Sequence, residues 1–154
     1  MKNKSIAVIG AGKWGQALHF ALSQKQKCLI TSRTKKDIEN FVDLETALDC
    51  EYLVIAIPAQ EIRTWLKENF VFKGQKILVA SKGIEANTGE FLNEIYSAFV
   101  PDENIGFISG PSFAAEVIKG LPCALVLNSS SKELYNEFEP FFPNFIKTYY
   151  SSDV

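Results

Sequence analysis

The sequence predicts an α/β fold: a doubly wound, mostly parallel sheet in a single domain. Three observations carry this. Short, continuously apolar runs alternate with helical patterns along nearly the whole chain, as they do where parallel strands are covered by helices on both faces. The first of these runs passes through a glycine-rich turn straight into a helix. The length, 154 residues, suits one domain with a core that needs no disulfide or metal.

Taken in order, residues 5–9 (SIAVI) form a β-branched run bounded by glycine. Trp14, Ala17, Leu18, Ala21 and Leu22 then recur at helical spacing. Residues 28–31 read as a second strand and 37–48 as weak helical turns, with Asp43 placed to cap 44–48. Residues 52–57 (YLVIAI) are the most strand-like segment and stop at Pro58; 59–69 is helical, with Ile62, Trp65 and Leu66 on one side. After Lys73-Gly74 the pattern resumes with a strand at 76–80, a helix at 89–99, a strand at 105–108 and a short helix at 112–119. A strand at 124–127, a helix at 131–142 and a strand at 145–150 complete the chain. An antiparallel pairing of the last two strands at a sheet edge is one reading of this end. The aromatics between Phe138 and Phe145 read as core or interface residues, and exposure of Phe141, Phe142 and Phe145 would leave an apolar patch.

Composition excludes several classes. Sixteen basic against eighteen acidic side chains give a net charge of −2, which offers no basic field to nucleic acid and no polybasic anchor to a membrane. No apolar run approaches the roughly 20 residues of a membrane span, and the start lacks a signal-peptide pattern; a cytoplasmic chain is expected. Cys28, Cys50 and Cys123 form no CxxC or Cys/His cluster and read as reduced, mostly buried thiols. No metal site is expected, since His19 is the only histidine; it reads as a surface residue on the helix face opposite Leu18 and Leu22.

Gly10-Ala11-Gly12-Lys13-Trp14-Gly15 is a GxGxxG turn between the first strand and the first helix. Gly10 permits a tight turn, Gly12 lets backbone approach a pyrophosphate, and Gly15 lets the helix lie against the sheet. The helix N-terminus offers free N–H groups to the phosphates. The fold is thus Rossmann-like, with NADP or NAD as the expected cofactor. The acidic residue that such folds place at the end of the second strand is missing: Thr31-Ser32-Arg33-Thr34 stands there. Arg33 suits a 2′-phosphate, with Ser32 and Thr34 as hydroxyl donors; the alternative is a solvated basic turn of Arg33, Lys35 and Lys36, and for Lys35 the two readings stand level.

Ligands of doubly wound sheets gather outside the carboxyl ends of the strands, and the other unusual segments lie there. Pro58-Ala59-Gln60 follows the third strand, facing the ribose or nicotinamide side. Ser81-Lys82-Gly83-Ile84-Glu85 follows the fourth, and Ser109-Gly110-Pro111-Ser112-Phe113-Ala114-Ala115-Glu116 the fifth. A lysine, a serine hydroxyl and free amides facing one cleft suit a small phosphorylated or carbonyl substrate.

GAGKWG, AIPAQ, SKGIE and SGPSFAAEV followed by Gly120-Leu121-Pro122, in this order, resemble the bacterial NAD(P)-dependent sn-glycerol-3-phosphate dehydrogenases over essentially the whole chain. The resemblance implies interconversion of dihydroxyacetone phosphate and sn-glycerol 3-phosphate for phospholipid synthesis. By motif position it implies Gly10, Gly12, Lys13, Trp14, Gly15, Arg33, Pro58 and Ala114 as cofactor contacts. Lys82 resembles the lysine touching cofactor and substrate, and Gly110 and Ser112 the substrate-side residues. Two departures stand out: residues 40–49 are too short for the family's YLP-type loop, and the family continues past this length into a helical substrate domain. That domain, absent here, holds the general acid/base lysine, so no catalytic residue is assigned; residues 1–154 are expected to be the NAD(P)-binding domain alone, and the full-length enzyme leaves room for a homodimer. The competing readings are a ketopantoate or 3-hydroxyacid type reductase, and a stand-alone dinucleotide-sensing module.

Overall fold

The computed structural model describes residues 5–80, 92–109 and 114–153. Strands β1 (Ile6–Ile9), β2 (Leu29–Thr31), β3 (Tyr52–Ile55), β4 (Lys76–Val79), β5 (Ile105–Ser109), β6 (Cys123–Asn128) and β7 (Ile146–Ser151) join in one sheet of order β2-β1-β3-β4-β5-β6-β7. The first five are mutually parallel. Their register aligns Thr31, Ile9, Ile55, Val79 and Phe107, so their carboxyl ends share one edge of the sheet. The chain moves to one side of β1 to make β2, then returns to the other side for β3; the crevice left by that reversal is where doubly wound sheets hold ligands.

Helices α1 (Lys13–Leu22), α5 (Ala114–Ile118) and α6 (Lys132–Phe138) cover one face; α2 (Leu44–Leu48), α3 (Ile62–Asn69) and α4 (Leu92–Ser97) cover the other. The strands feed both faces in alternation. Ile6, Val8, Tyr52, Val54 and Leu78 join Leu18, Val117 and Phe138, while Ala7, Ile9, Leu53, Ile55 and Ile77 join Ile62, Leu66 and Ile95. Both faces of the central strands are buried, which is why their sequences are apolar without a break. Asp43 caps α2 by accepting from Thr46 N at 2.8 Å, and Ser131 caps α6 by accepting from Leu134 N. Each cap stops the chain where its sequence expects a helix to begin.

Three expectations need correction. The last two strands, β6 and β7, run parallel; the antiparallel step falls between β5 and β6. The short helix α5 rests on α1 rather than crossing back over the sheet, so β6 returns against β5, and only the longer link through α6 makes a parallel crossover. The helix expected over 131–142 ends at Phe138 and continues as a 3-10 turn, Glu139–Phe141. That turn swings Phe141 and Phe142 into the core, so they form no exposed patch, and Phe145 is partly covered. The cysteines need no correction: of three thiols read as mostly buried, Cys28 and Cys50 are buried and Cys123 is half-buried.

The third correction is His19. It is buried at 6% exposure, and its Nε2 bonds the Cys28 carbonyl at 2.8 Å. Burial lowers the imidazole pKa from its ordinary value, against the weaker opposing influence of the Cys28 hydrogen bond and the Glu39 charge. A neutral ring that donates to a backbone carbonyl is a satisfied buried group, so the histidine ties α1 to the entrance of β2.

Candidate functional site

The turn after β1 separates three glycines by what each is for. Gly10 has φ +113°, and a Cβ there would lie 2.6 Å from the Ala56 carbonyl oxygen. A Cβ at Gly15 would lie 2.1 Å from the Gly10 carbonyl oxygen. These two are glycine because the turn and the packing of α1 on it leave no space. Gly12 is different. It precedes α1 with φ −76° and ψ −172°, values open to any residue, and a Cβ there would meet nothing within 4 Å. Neither backbone nor packing asks for glycine at this position. The free space lies at the start of a ten-residue helix that no side chain caps, where N–H groups and the helix dipole favour an anion. A dinucleotide pyrophosphate fits that demand.

Around this turn lies an open cleft of about 1210 Å³. Its floor comes from Gly10, Ala11 and Gly12; one wall comes from the β2 loop with Ser32, Arg33 and Lys36, the other from Pro58, Gln60, Glu61 and Trp65 after β3. Backbone hydrogen bonds fix the floor: Gly10 N donates to Thr31 O at 2.9 Å and Ala56 N to Ile9 O at 2.7 Å. The Ala11 carbonyl accepts from Gln16 Nε2 at 2.8 Å and from Lys36 Nζ at 3.0 Å, so a lysine from the β2 loop leans across the glycine turn. Arg33 Nη2 meets Glu61 Oε1 at 3.1 Å across the mouth of the cleft. Ser32 Oγ donates to Thr34 O.

Among the sequence-predicted cofactor residues, Gly10, Gly12, Arg33 and Pro58 line this cleft. Gly15 is buried beneath it and Lys13 is exposed at the helix start. Trp14 and Ala114 are half-buried against the α1–α5 face of the core; neither appears among the cleft-lining residues. Lys82, Gly110 and Ser112 lie outside the described residues. Trp65, on the same side of its helix as Ile62 and Leu66, also lines the cleft while packing near Phe70.

Among the cleft residues that sequence reasoning did not assign are two charged ones, Lys36 and Glu61. The signals were present: a lysine within the basic run after β2, and a carboxylate one residue beyond AIPAQ. What was missing was the strand order, which sets the loops after β2 and β3 on opposite sides of β1. Among the described residues no group of three His, Cys, Asp or Glu side chains gathers to hold a metal, and no helix is long and apolar enough to cross a membrane.

Strand order, glycine turn and carboxyl-end cleft together define a Rossmann-like dinucleotide-binding domain. Comparison with known proteins makes this specific. The family described as NAD-dependent glycerol-3-phosphate dehydrogenase N-terminus matches residues 23–135, and the chain belongs to that family. It is 62% identical over 149 residues to the glycerol-3-phosphate dehydrogenase [NAD(P)+] of Sulfurimonas denitrificans and 57% identical to that of Campylobacter jejuni. Each match covers 97% of this chain and 50% of the relative, so the chain spans about half the length of the curated relatives it matches. The crystal structure of a glycerol-3-phosphate dehydrogenase from Coxiella burnetii superposes with a TM-score of 0.79 at 24% identity, covering 98% of this chain and 55% of that one; it shows the shared fold.

Proposed function

We propose that residues 1–154 are one NAD(P)-binding domain, the cofactor-holding half of an enzyme that interconverts dihydroxyacetone phosphate and sn-glycerol 3-phosphate for phospholipid synthesis in the cytoplasm. The observation that carries the cofactor assignment is Gly12, a glycine that neither conformation nor packing requires, at the uncapped start of α1. The substrate class rests on family membership and on the names of the relatives.

Within this reading Gly10 and Gly15 shape the turn, and Gly12 with the first N–H groups of α1 holds the pyrophosphate. Lys13, Trp14 and Ala114 border the helix side, and Pro58 the opposite wall. Arg33, its side chain 87% exposed, meets a 2′-phosphate when the cofactor carries one. Lys82, Gly110 and Ser112 are assigned to the substrate side by motif position, Lys82 touching cofactor as well. The bound nicotinamide supplies a hydride exchanged with the carbonyl carbon of the substrate. This chain's residues hold and orient the reacting partners and shield them from water. A second, C-terminal domain supplies the proton-transferring group, consistent with relatives about twice as long.

The experiment is a pair of measurements on the chain: NADH and NADPH titrations followed by nicotinamide fluorescence, and a dihydroxyacetone phosphate reductase assay. Saturable binding with absent or very slow turnover is expected. Rapid turnover by the chain alone would contradict the assignment of proton transfer to another domain, and absence of binding would contradict the cofactor assignment.

A further inference from the structure

No carboxylate stands at the end of β2, where a dinucleotide fold usually meets the adenosine ribose 2′-hydroxyl. The structure brings one there from elsewhere. Glu61, in the 3-10 turn Ala59–Glu61 after β3, reaches across the cleft to within 3.1 Å of Arg33. We infer that Glu61 is the cofactor-selecting carboxylate of this cleft: it accepts the ribose 2′-hydroxyl of NADH, while Arg33, released from it, meets the 2′-phosphate of NADPH. This inference rests on the cleft being the dinucleotide site proposed above.

The cleft wall offers three carboxylates, Asp43, Glu61 and Glu68. Asp43 is committed to capping α2 through Thr46 N. Glu68 lies about two turns further along α3 from Glu61, roughly 10 Å along the axis, away from the β2 end. Glu61 alone of the three touches the residue that occupies the acidic position. The pair is also free to open: the Arg33 side chain is 87% exposed and that of Glu61 44%, and an exposed ion pair is held weakly. A 2′-phosphate draws Arg33 away from Glu61 and is itself repelled by the carboxylate that remains. A 2′-hydroxyl, in contrast, donates to Glu61 with the ion pair intact. One wall thus works against NADPH and the other for it, so a single cleft takes both cofactors.

The test titrates NADH and NADPH into the chain and into its Glu61→Ala, Glu61→Gln and Arg33→Gln variants, with thermal melting of each. Glu61→Ala is expected to weaken NADH by about threefold to tenfold, the loss of one hydrogen bond, and to tighten NADPH by about twofold to fivefold as the competing pair disappears. Glu61→Gln should tighten NADPH similarly with a smaller loss for NADH, because its amide oxygen still accepts. Arg33→Gln should weaken NADPH alone. An unchanged ratio of the two affinities in both Glu61 variants, or equal losses for both cofactors, would overturn the inference while leaving the cleft reading standing. Binding of neither cofactor by the unaltered chain would overturn the cleft reading and the inference with it.

Discussion

The two ends of the sheet use charge in opposite ways. At the amino end, Tyr52 and Lys76, the first residues of β3 and β4, both bond Glu137 of α6: the phenol donates at 2.7 Å and the ammonium lies at 2.5 Å. Lys76 also stands over the Tyr52 ring. Both charged side chains are about three-quarters covered. Burial first, then the Glu137 hydrogen bond and charge, push the Tyr52 phenol pKa up, so it stays a donor at any working pH. At the carboxyl end, the Arg33–Glu61 pair is largely exposed and borders an open cleft, and Gly12 leaves space at a helix start. Covered, mutually satisfied charge fastens an element; exposed charge beside an uncapped helix start is available to a ligand.

Variants that cross this division sharpen it. The largest effect expected is from Gly15→Ala, which sets a methyl group against the Gly10 carbonyl: a stability loss of about 3 kcal/mol, seen as a Tm lowered by about 6–12 °C. This residue sits at the ligand end but serves the fold. Glu137→Ala follows, removing the acceptor shared by Tyr52 and Lys76; a loss of about 1–2 kcal/mol in chemical denaturation is expected, with NADPH affinity unchanged. An equal loss of NADPH affinity would mean the two ends are not separate in function. Arg33→Asp should weaken NADPH about tenfold, the lower end of a charge-assisted hydrogen bond because the site is exposed, with a smaller change for NADH and none in Tm. An equal loss of both cofactors would remove Arg33 from the 2′-phosphate.

The smallest effect concerns neither end. His19 has its pKa lowered in the folded chain, so below its ordinary value of 6.5 the unfolded chain binds the proton more readily. Its contribution to stability is present above that value and is lost as pH falls towards the folded pKa. Urea denaturation should show stability falling as pH drops below 6.5, and His19→Gln should flatten that slope. An unaltered slope in the variant would assign the pH dependence to other groups.

Much of the fold was legible because local pattern and environment agree. Unbroken apolar runs marked strands buried on both faces, and Asp43 marked a helix start by its hydrogen-bonding chemistry. The glycine turn was legible for the same reason: its spacing is dictated by contacts within a single β-turn-α unit. Features that depend on which strand neighbours which were not. The antiparallel placement of β6 follows from where α5 packs, and the meeting of Arg33 with Glu61 and of Lys36 with Ala11 follows from β1 lying between β2 and β3. His19 escaped because a polar side chain on a helix reads as exposed unless its partner, here a carbonyl nine residues along, is known. Phe141 and Phe142 are buried as core aromatics, in keeping with the core-or-interface reading, but the 3-10 turn that directs them inward, in place of the expected helix, was not legible.

The central claim is that the space at Gly12 is kept open for a cofactor phosphate. Its most direct test is NADPH titration of the chain against its Gly12→Leu variant, with thermal melting of both. Saturable binding by the unaltered chain is expected, and binding at least about tenfold weaker in the variant, with Tm lowered by no more than a few degrees, since a Cβ at this position meets nothing within 4 Å and only the N-cap preference for glycine over leucine is lost. Equal binding by the two proteins would contradict the claim.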